Sequence, residues 1–146
     1  MIVVDASVAG KWLFPHEVRA RQAMALLIQS TRRDDPIVAP HLVTFEVANI
    51  IRQRMIREGL ALVDADQLMA RFLALPVTLQ APAGLSQQAL AIADAHGLPA
   101  AYDAHYIALA QQLGCDLWTD DQRLIRQLAG GLAFVRPLAQ YRLSSP

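Results

Sequence analysis

Short apolar runs alternating with longer helical stretches constrain this chain most. Ile2-Val3-Val4, Ile37-Val38-Ala39, Val77-Thr78-Leu79, Asp116-Leu117-Trp118 and Leu132-Ala133-Phe134-Val135 are rich in β-branched or aromatic residues and suit short, buried strands. Between them apolar residues recur at helical spacing, as in Ala20, Ala23, Met24, Leu27 and Ile28. The spacing predicts helices over 6–13, 17–30, 41–58, 101–113 and 121–128. Two more are predicted, one ending before Pro76 and one running from Ser86 to Gly97. Asp64 with Gln67 has the pattern of a capping box, and Ser86 reads as an N-cap. Gly97 and Gly114 stand where helices end in the left-handed conformation. Residues 31–36 read as a polar turn. Strands that are apolar throughout belong to sheets covered on both faces. The expectation is an α/β fold, a three-layer α/β/α sandwich with a mostly parallel central sheet. Right-handed crossovers then bring the carboxyl ends of the strands to one edge, where sites in such folds form.

A length of 146 residues suits one domain over residues 1–146, with one sizeable core. Hydrophobic residues make up 54% of the chain and the mean hydropathy is +0.27. No run of 18 apolar residues occurs, so no membrane span is expected. The surplus apolar surface is expected to lie under a partner or a second copy. Thirteen Lys and Arg balance 13 Asp and Glu, which argues against a broadly basic nucleic-acid binder and leaves room for a local basic patch. Lys11 is the only lysine. The first residues lack the basic stretch of a signal peptide, and the single Cys115 excludes an internal disulfide, so the expected location is cytoplasmic. Cys115 reads as a small buried residue rather than a nucleophile.

Four acids carry the chemistry. Asp5 directly follows the first strand, with the Ser7 hydroxyl two residues on. Asp121 follows the fourth strand through Thr119 and Asp120, repeating that arrangement. Each alone reads as a helix cap, and chemistry does not separate Asp120 from Asp121. At 100° per residue, Glu46, Asn49, Gln53 and Arg57 share one stripe of the long helix, opposite Val47, Ile51 and Met55. Such a stripe is usually a solvated face. Here Phe45, Ile50 and Ile56 flank it, and so narrow a stripe suits a cleft. Asp103 lies in the first turn of an otherwise apolar helix, on the side of Ile107 and Ala110. The helix dipole accounts for a place in that turn; burial without a partner would raise its pKa. Gathered together, four carboxylates repel one another unless a cation joins them, and oxygen ligands suit Mg²⁺ or Mn²⁺. No Cys/His spacing supports zinc, and His16, His41, His96 and His105 are scattered. An acid-only site of this kind handles phosphates.

These residues also resemble a known family. Val3-Val4-Asp5-Ala6-Ser7-Val8, Phe45-Glu46-Val47-Ala48-Asn49, the run Tyr102-Asp103-Ala104-His105-Tyr106-Ile107-Ala108-Leu109-Ala110 and Trp118-Thr119-Asp120-Asp121 are similar to the motifs of the PIN domain, in the family's order and across the chain. Lys11-Trp12 and the Tyr-Asp-Ala motif are most similar to VapC-type toxins of toxin–antitoxin pairs. The resemblance implies a Mg²⁺- or Mn²⁺-dependent endoribonuclease. Asp5 and Asp103 match the principal metal-binding acids, Glu46 the third, and Asp121 the acid of a Thr-x-Asp motif with Asp120 in its variable position. Ser7 and Thr119 match hydroxyls that steady the site, and Asn49 a polar residue beside it. A homodimer and a small antitoxin covering the site are implied as well.

The expected mechanism is metal-assisted attack of water on an RNA phosphodiester, leaving a 5′-phosphate and a 3′-hydroxyl. Lys11, Arg52, Arg54, Arg57, Arg123 and Arg126 are candidates for backbone contacts, though most read as solvated helix charges. A haloacid-dehalogenase-like phosphatase needs a second Asp where Ser7 stands. A receiver domain needs an acidic pair before the first strand and a late lysine, and the chain has neither. No Gly-rich phosphate loop occurs. The remaining alternative is a PIN module that binds RNA or protein without cutting.

Overall fold

In the computed structural model, which describes residues 1–143, the five apolar runs become five strands. The last three residues of the expected 1–146 domain lie outside the described residues. The strands are β1 (Ile2–Val4), β2 (Ile37–Pro40), β3 (Val77–Gln80), β4 (Leu117–Thr119) and β5 (Val135–Pro137). They pair in the order β3-β2-β1-β4-β5, and every pairing is parallel. The sheet is thus wholly parallel where a mostly parallel one was expected. Successive side chains of a strand point to opposite faces, and Val3 and Val4 are both fully buried, so both faces of β1 are covered. Each such burial is worth about 1.5–3 kcal/mol, which anchors the strand that carries Asp5.

Among the described residues seven helices flank the sheet: α1 (Ala6–Ala9), α2 (Ala20–Arg32), α3 (Leu42–Glu58), α4 (Leu62–Leu73), α5 (Leu85–Ala95), α6 (Tyr102–Leu113) and α7 (Gln122–Leu128). Helix α6 packs on β1, β2 and β4 and buries Tyr106, Ile107 and Leu109. Gly10 lets the end of α1 approach α3: a Cβ there would meet Ile50 Cδ1 at 3.0 Å. Trp12 locks the same turn to α2 by donating from Nε1 to the Ala23 carbonyl at 2.8 Å.

Several boundaries differ from expectation. The helix predicted over 6–13 is α1 followed by a 3₁₀ turn, Gly10–Trp12. The helix predicted from 17 starts at Ala20, because Arg19 adopts a left-handed φ of 64° and Glu17 and Arg19 are drawn into ion pairs. It then runs through Arg32 into the predicted turn, with the Thr31 hydroxyl satisfied by the Leu27 carbonyl at 2.9 Å. Ala61, not Asp64, is the N-cap of α4; Asp64 sits in the first turn, where its charge suits the helix dipole. Left-handed Gly84 occupies the N-cap position of α5, and Ser86, inside the helix, pairs with His105 Nε2 at 3.2 Å. β5 starts at Val135 rather than Leu132 because the Val135 N–H closes a turn onto the Leu132 carbonyl at 3.0 Å.

The chain leaves β1 for β2 on one side of the sheet and adds β4 later on the other. The direction of winding therefore switches at β1, the position where α/β sheets open a crevice. Val4 is paired with Trp118, and the Asp5 N–H donates to the Trp118 carbonyl at 3.3 Å. The carboxyl ends of β1 and β4 thus lie side by side.

Candidate active site

Asp5 is the first residue past β1 and the N-cap of α1, so the cap and the site acid are one residue. Its Oδ1 accepts from the Val8 N–H at 3.2 Å and from the Ser7 hydroxyl at 2.5 Å. Its Oδ2 accepts from the Thr119 hydroxyl. The two hydroxyls then tie the neighbouring strand end to the same point. Ser7 Oγ accepts the Asp120 N–H at 2.7 Å, and Thr119 Oγ1 accepts the Asp121 N–H at 3.0 Å. Asp5 is only 4% exposed. Burial pushes its carboxyl up to about 7; the Asp103 charge adds to this, and the bonds from Ser7, Thr119 and Val8 work against it.

Asp121 and Asp120 part company beyond β4. Asp121 is the N-cap of α7, its Oδ1 accepting from Arg123 N–H at 2.8 Å and Leu124 N–H at 3.2 Å. Asp120 instead sits in a buried ion-pair network, with Lys11 Nζ at 3.1 Å and Arg19 Nε at 2.5 Å. Lys11 also pairs with Glu17 at 3.2 Å, Glu17 pairs with Arg54, and Arg54 reaches Glu58 at 2.5 Å while lying over the Phe14 ring at 4.4 Å. Lys11 and Arg54, candidates for backbone contacts on sequence grounds, are therefore committed inside the fold.

Glu46 on α3 and Asp103 on α6 complete the group. Tyr106 donates its hydroxyl to Glu46 Oε2. Burial raises the Glu46 pKa and the charges of Asp103 and Asp121 raise it further, against Tyr106 and His105. Among the described residues Asp103 accepts no hydrogen bond and forms no salt bridge. Burial raises its pKa too, followed by the charge of Asp121, with Arg123 opposing. The electrostatic contacts Asp5–Asp103, Glu46–Asp103, Glu46–Asp121 and Asp103–Asp121 join all four acids into one group. Asn49 shares the Glu46 stripe, is exposed, and makes no hydrogen bond among the described residues.

The acids are neighbours rather than a closed coordination shell: among the described residues no three Asp, Glu, His or Cys side chains converge closely enough to hold a metal ion as they stand. Asp5, Glu46 and Asp121 each have an oxygen held by a hydrogen-bond donor. The donor set is nonetheless all carboxylate, desolvated and mutually repelling, which fits a hard divalent cation such as Mg²⁺ or Mn²⁺. His105 is turned to the Ala101 carbonyl at 2.6 Å and to Ser86. Sequence reasoning gave the Tyr106 hydroxyl no role; its position three residues after Asp103 was the available signal. Arg19 had none.

A wholly parallel sheet with acids gathered at its switch point defines the class of protein, and the sequence profile of the PIN domain matches residues 2–130. This chain belongs to the PIN domain family. It is 36% identical over 124 residues to VapC ribonuclease Mb0985 of Mycobacterium bovis, covering 85% of this chain and 88% of that protein. It is 34% identical over 127 residues to ribonuclease VapC3 of Pyrobaculum aerophilum, covering 84% and 91%. The solved structure of Mycobacterium tuberculosis VapC20, described as a sarcin–ricin-loop-cleaving toxin, superposes with a TM-score of 0.65 at 20% identity, over 94% of this chain and all of that one. At that identity the likeness is one of fold.

Proposed function

We propose that this chain is a VapC-type endoribonuclease that cuts RNA phosphodiesters with Mg²⁺ or Mn²⁺, acting as the toxin of a toxin–antitoxin pair. The observation that carries the reading is the electrostatic grouping of Asp5, Glu46, Asp103 and Asp121 at the β1–β4 edge. Its relatives named VapC ribonucleases support the choice of RNA. Asp5 and Asp103 are the principal metal ligands, with Glu46 and Asp121 beside them. A divalent ion held there would polarise a phosphoryl oxygen and acidify a water.

The chain's own groups do the rest. The Ser7 and Thr119 hydroxyls fix the Asp5 carboxylate, and the Arg123 and Leu124 N–H groups fix Asp121. Tyr106 holds one Glu46 oxygen, leaving the other to take the proton of the attacking water. Asp120 stays out of the chemistry and holds the strand end through Lys11 and Arg19. Apolar side chains exposed on α3 (Phe45, Ile56) and α4 (Leu62, Val63, Leu73) support a covering antitoxin or second copy. A cytoplasmic location goes with this role; among the described residues no helix is long and apolar enough to cross a membrane.

The test compares cleavage of an RNA panel by wild type and Asp5→Ala, with Mg²⁺, Mn²⁺ or EDTA. Activity confined to wild type with metal, leaving 5′-phosphate ends, is expected. Equal activity in both proteins, or 2′,3′-cyclic phosphate ends, overturns the reading.

A further inference from the structure

An RNA phosphate drawn to four carboxylates meets repulsion, and three cations of this chain are already paired and not free to offset it. Lys11 and Arg19 are held by Asp120, and Arg54 by Glu17 and Glu58. Arg123 differs from all three. Its side chain is 88% exposed, and its one ion pair among the described residues, to Asp121, is loose at 3.9 Å between Nε and Oδ1. The same Asp121 oxygen is already taken by two backbone N–H groups, so the guanidinium is a third and distant claimant. The Arg123 main chain, in contrast, is pinned, because its own N–H donates to Asp121 at 2.8 Å. Its charge nevertheless reaches Asp103 on α6. A fixed base with a free, planar, five-donor head at the lip of an acidic site is the arrangement that captures a phosphate bidentately.

We propose that Arg123 is the phosphate-binding arm of the site, its guanidinium taking the non-bridging oxygens of an RNA backbone phosphate and leaving Asp121 to do so. This rests on the endoribonuclease reading above. The arm brings substrate in and sets its register; it does not exchange protons.

The test uses the full chain and a short single-stranded RNA that wild type cleaves, comparing Arg123→Ala, Arg123→Lys and, as a control, Arg71→Ala on the exposed end of α4. Thermal melts establish that each variant is folded. For Arg123→Ala, KM is expected to rise roughly tenfold with kcat changed far less, and the slope of log(kcat/KM) against log[salt] to flatten by about 0.7, the value for one contact to a single strand. Arg123→Lys is expected to keep the salt slope, since the charge remains, and to recover KM only in part. Arg71→Ala is expected to match wild type. A fall in kcat with KM and salt slope unchanged would mean that Arg123 only props Asp121, and would overturn the arm while leaving the ribonuclease reading intact. If wild type cleaves no RNA under any metal condition, that reading fails and the arm with it.

Discussion

Asp5 is a carboxylate built into a place that does not favour its charge. Its burial withholds water, and three donors recover only part of what is lost. Removing the charge should therefore separate function from stability. Asp5→Asn is expected to lower RNA cleavage by at least about 100-fold, the scale on which loss of a group that stabilises transition-state charge is felt. The same variant, without metal at pH 8, is expected to melt above wild type, because the desolvated charge is gone. A melting temperature below wild type at pH 8 would show that the hydrogen bonds outweigh the burial. Tyr106 makes the complementary case. Its hydroxyl lowers the Glu46 pKa, so Tyr106→Phe is expected to move the acidic limb of the pH–rate profile upward and to reduce activity about 10- to 100-fold, as loss of a group supporting a metal ligand does. An unmoved limb would separate Tyr106 from the chemistry. Asp5, Asp103 and Asp121 were legible because each follows a strand end or opens a helix, and Glu46 because its polar stripe is narrow. Tyr106 was not, because a buried aromatic at helical spacing reads as core, and this ring is core while its hydroxyl serves the site.

At the scale of elements, the β1–β4 edge is held twice: by the hydroxyls of Ser7 and Thr119, and by the ion pairs around Asp120. The second hold joins the 3₁₀ turn after α1, the loop leading into α2, and the β4–α7 connection. Asp120→Asn leaves Lys11, a buried cation, with Glu17 alone. The expected loss is roughly 2–3 kcal/mol, at the low end for breaking a buried pair, because Glu17 remains. Urea melts at fixed pH measure it, and a loss below 0.5 kcal/mol, taking roughly the figure for a surface site, would show that the network is solvated. This network also explains where sequence reading stopped. Strands were legible because they are short and apolar, and the ends of α3 and α6 because left-handed Gly59 and Gly114 close them. The start of α2 was not, because Arg19 takes a left-handed backbone that its residue type does not signal. The caps of α4 and α5 were misplaced for a related reason. Asp64 and Ser86 have capping chemistry, but a polar side chain serves equally in the first turn or in a contact with another helix, as Ser86 does with His105.

For the whole molecule, the acid group makes folding, protonation and metal one linked equilibrium. Asp5, Glu46 and Asp103 all have pKa values raised by folding. An acid raised in this way holds its proton more tightly folded than unfolded, so stability falls as pH climbs through the interval between the two values. For Asp5 that interval runs from the ordinary carboxylate range to about 7. Asp5 and Glu46 both feel the charge of Asp103, so protonation at one site bears on the others. Metal-free protein is therefore expected to be more stable at pH 5 than at pH 8, with its melting temperature falling by several degrees across that range. A divalent cation that binds the ionised acids should reverse the trend, because binding to the folded form alone adds about 2.7 kcal/mol at a hundred times the dissociation constant. At pH 8, millimolar Mg²⁺ or Mn²⁺ should raise the melting temperature; at pH 5, where protons compete for the same oxygens, it should do so much less. Asp5→Asn combined with Asp103→Asn should flatten both the pH dependence and the metal response. Melting curves at the two pH values, with and without metal, decide the matter. A metal-induced rise that survives the double substitution would place the ion elsewhere on the molecule.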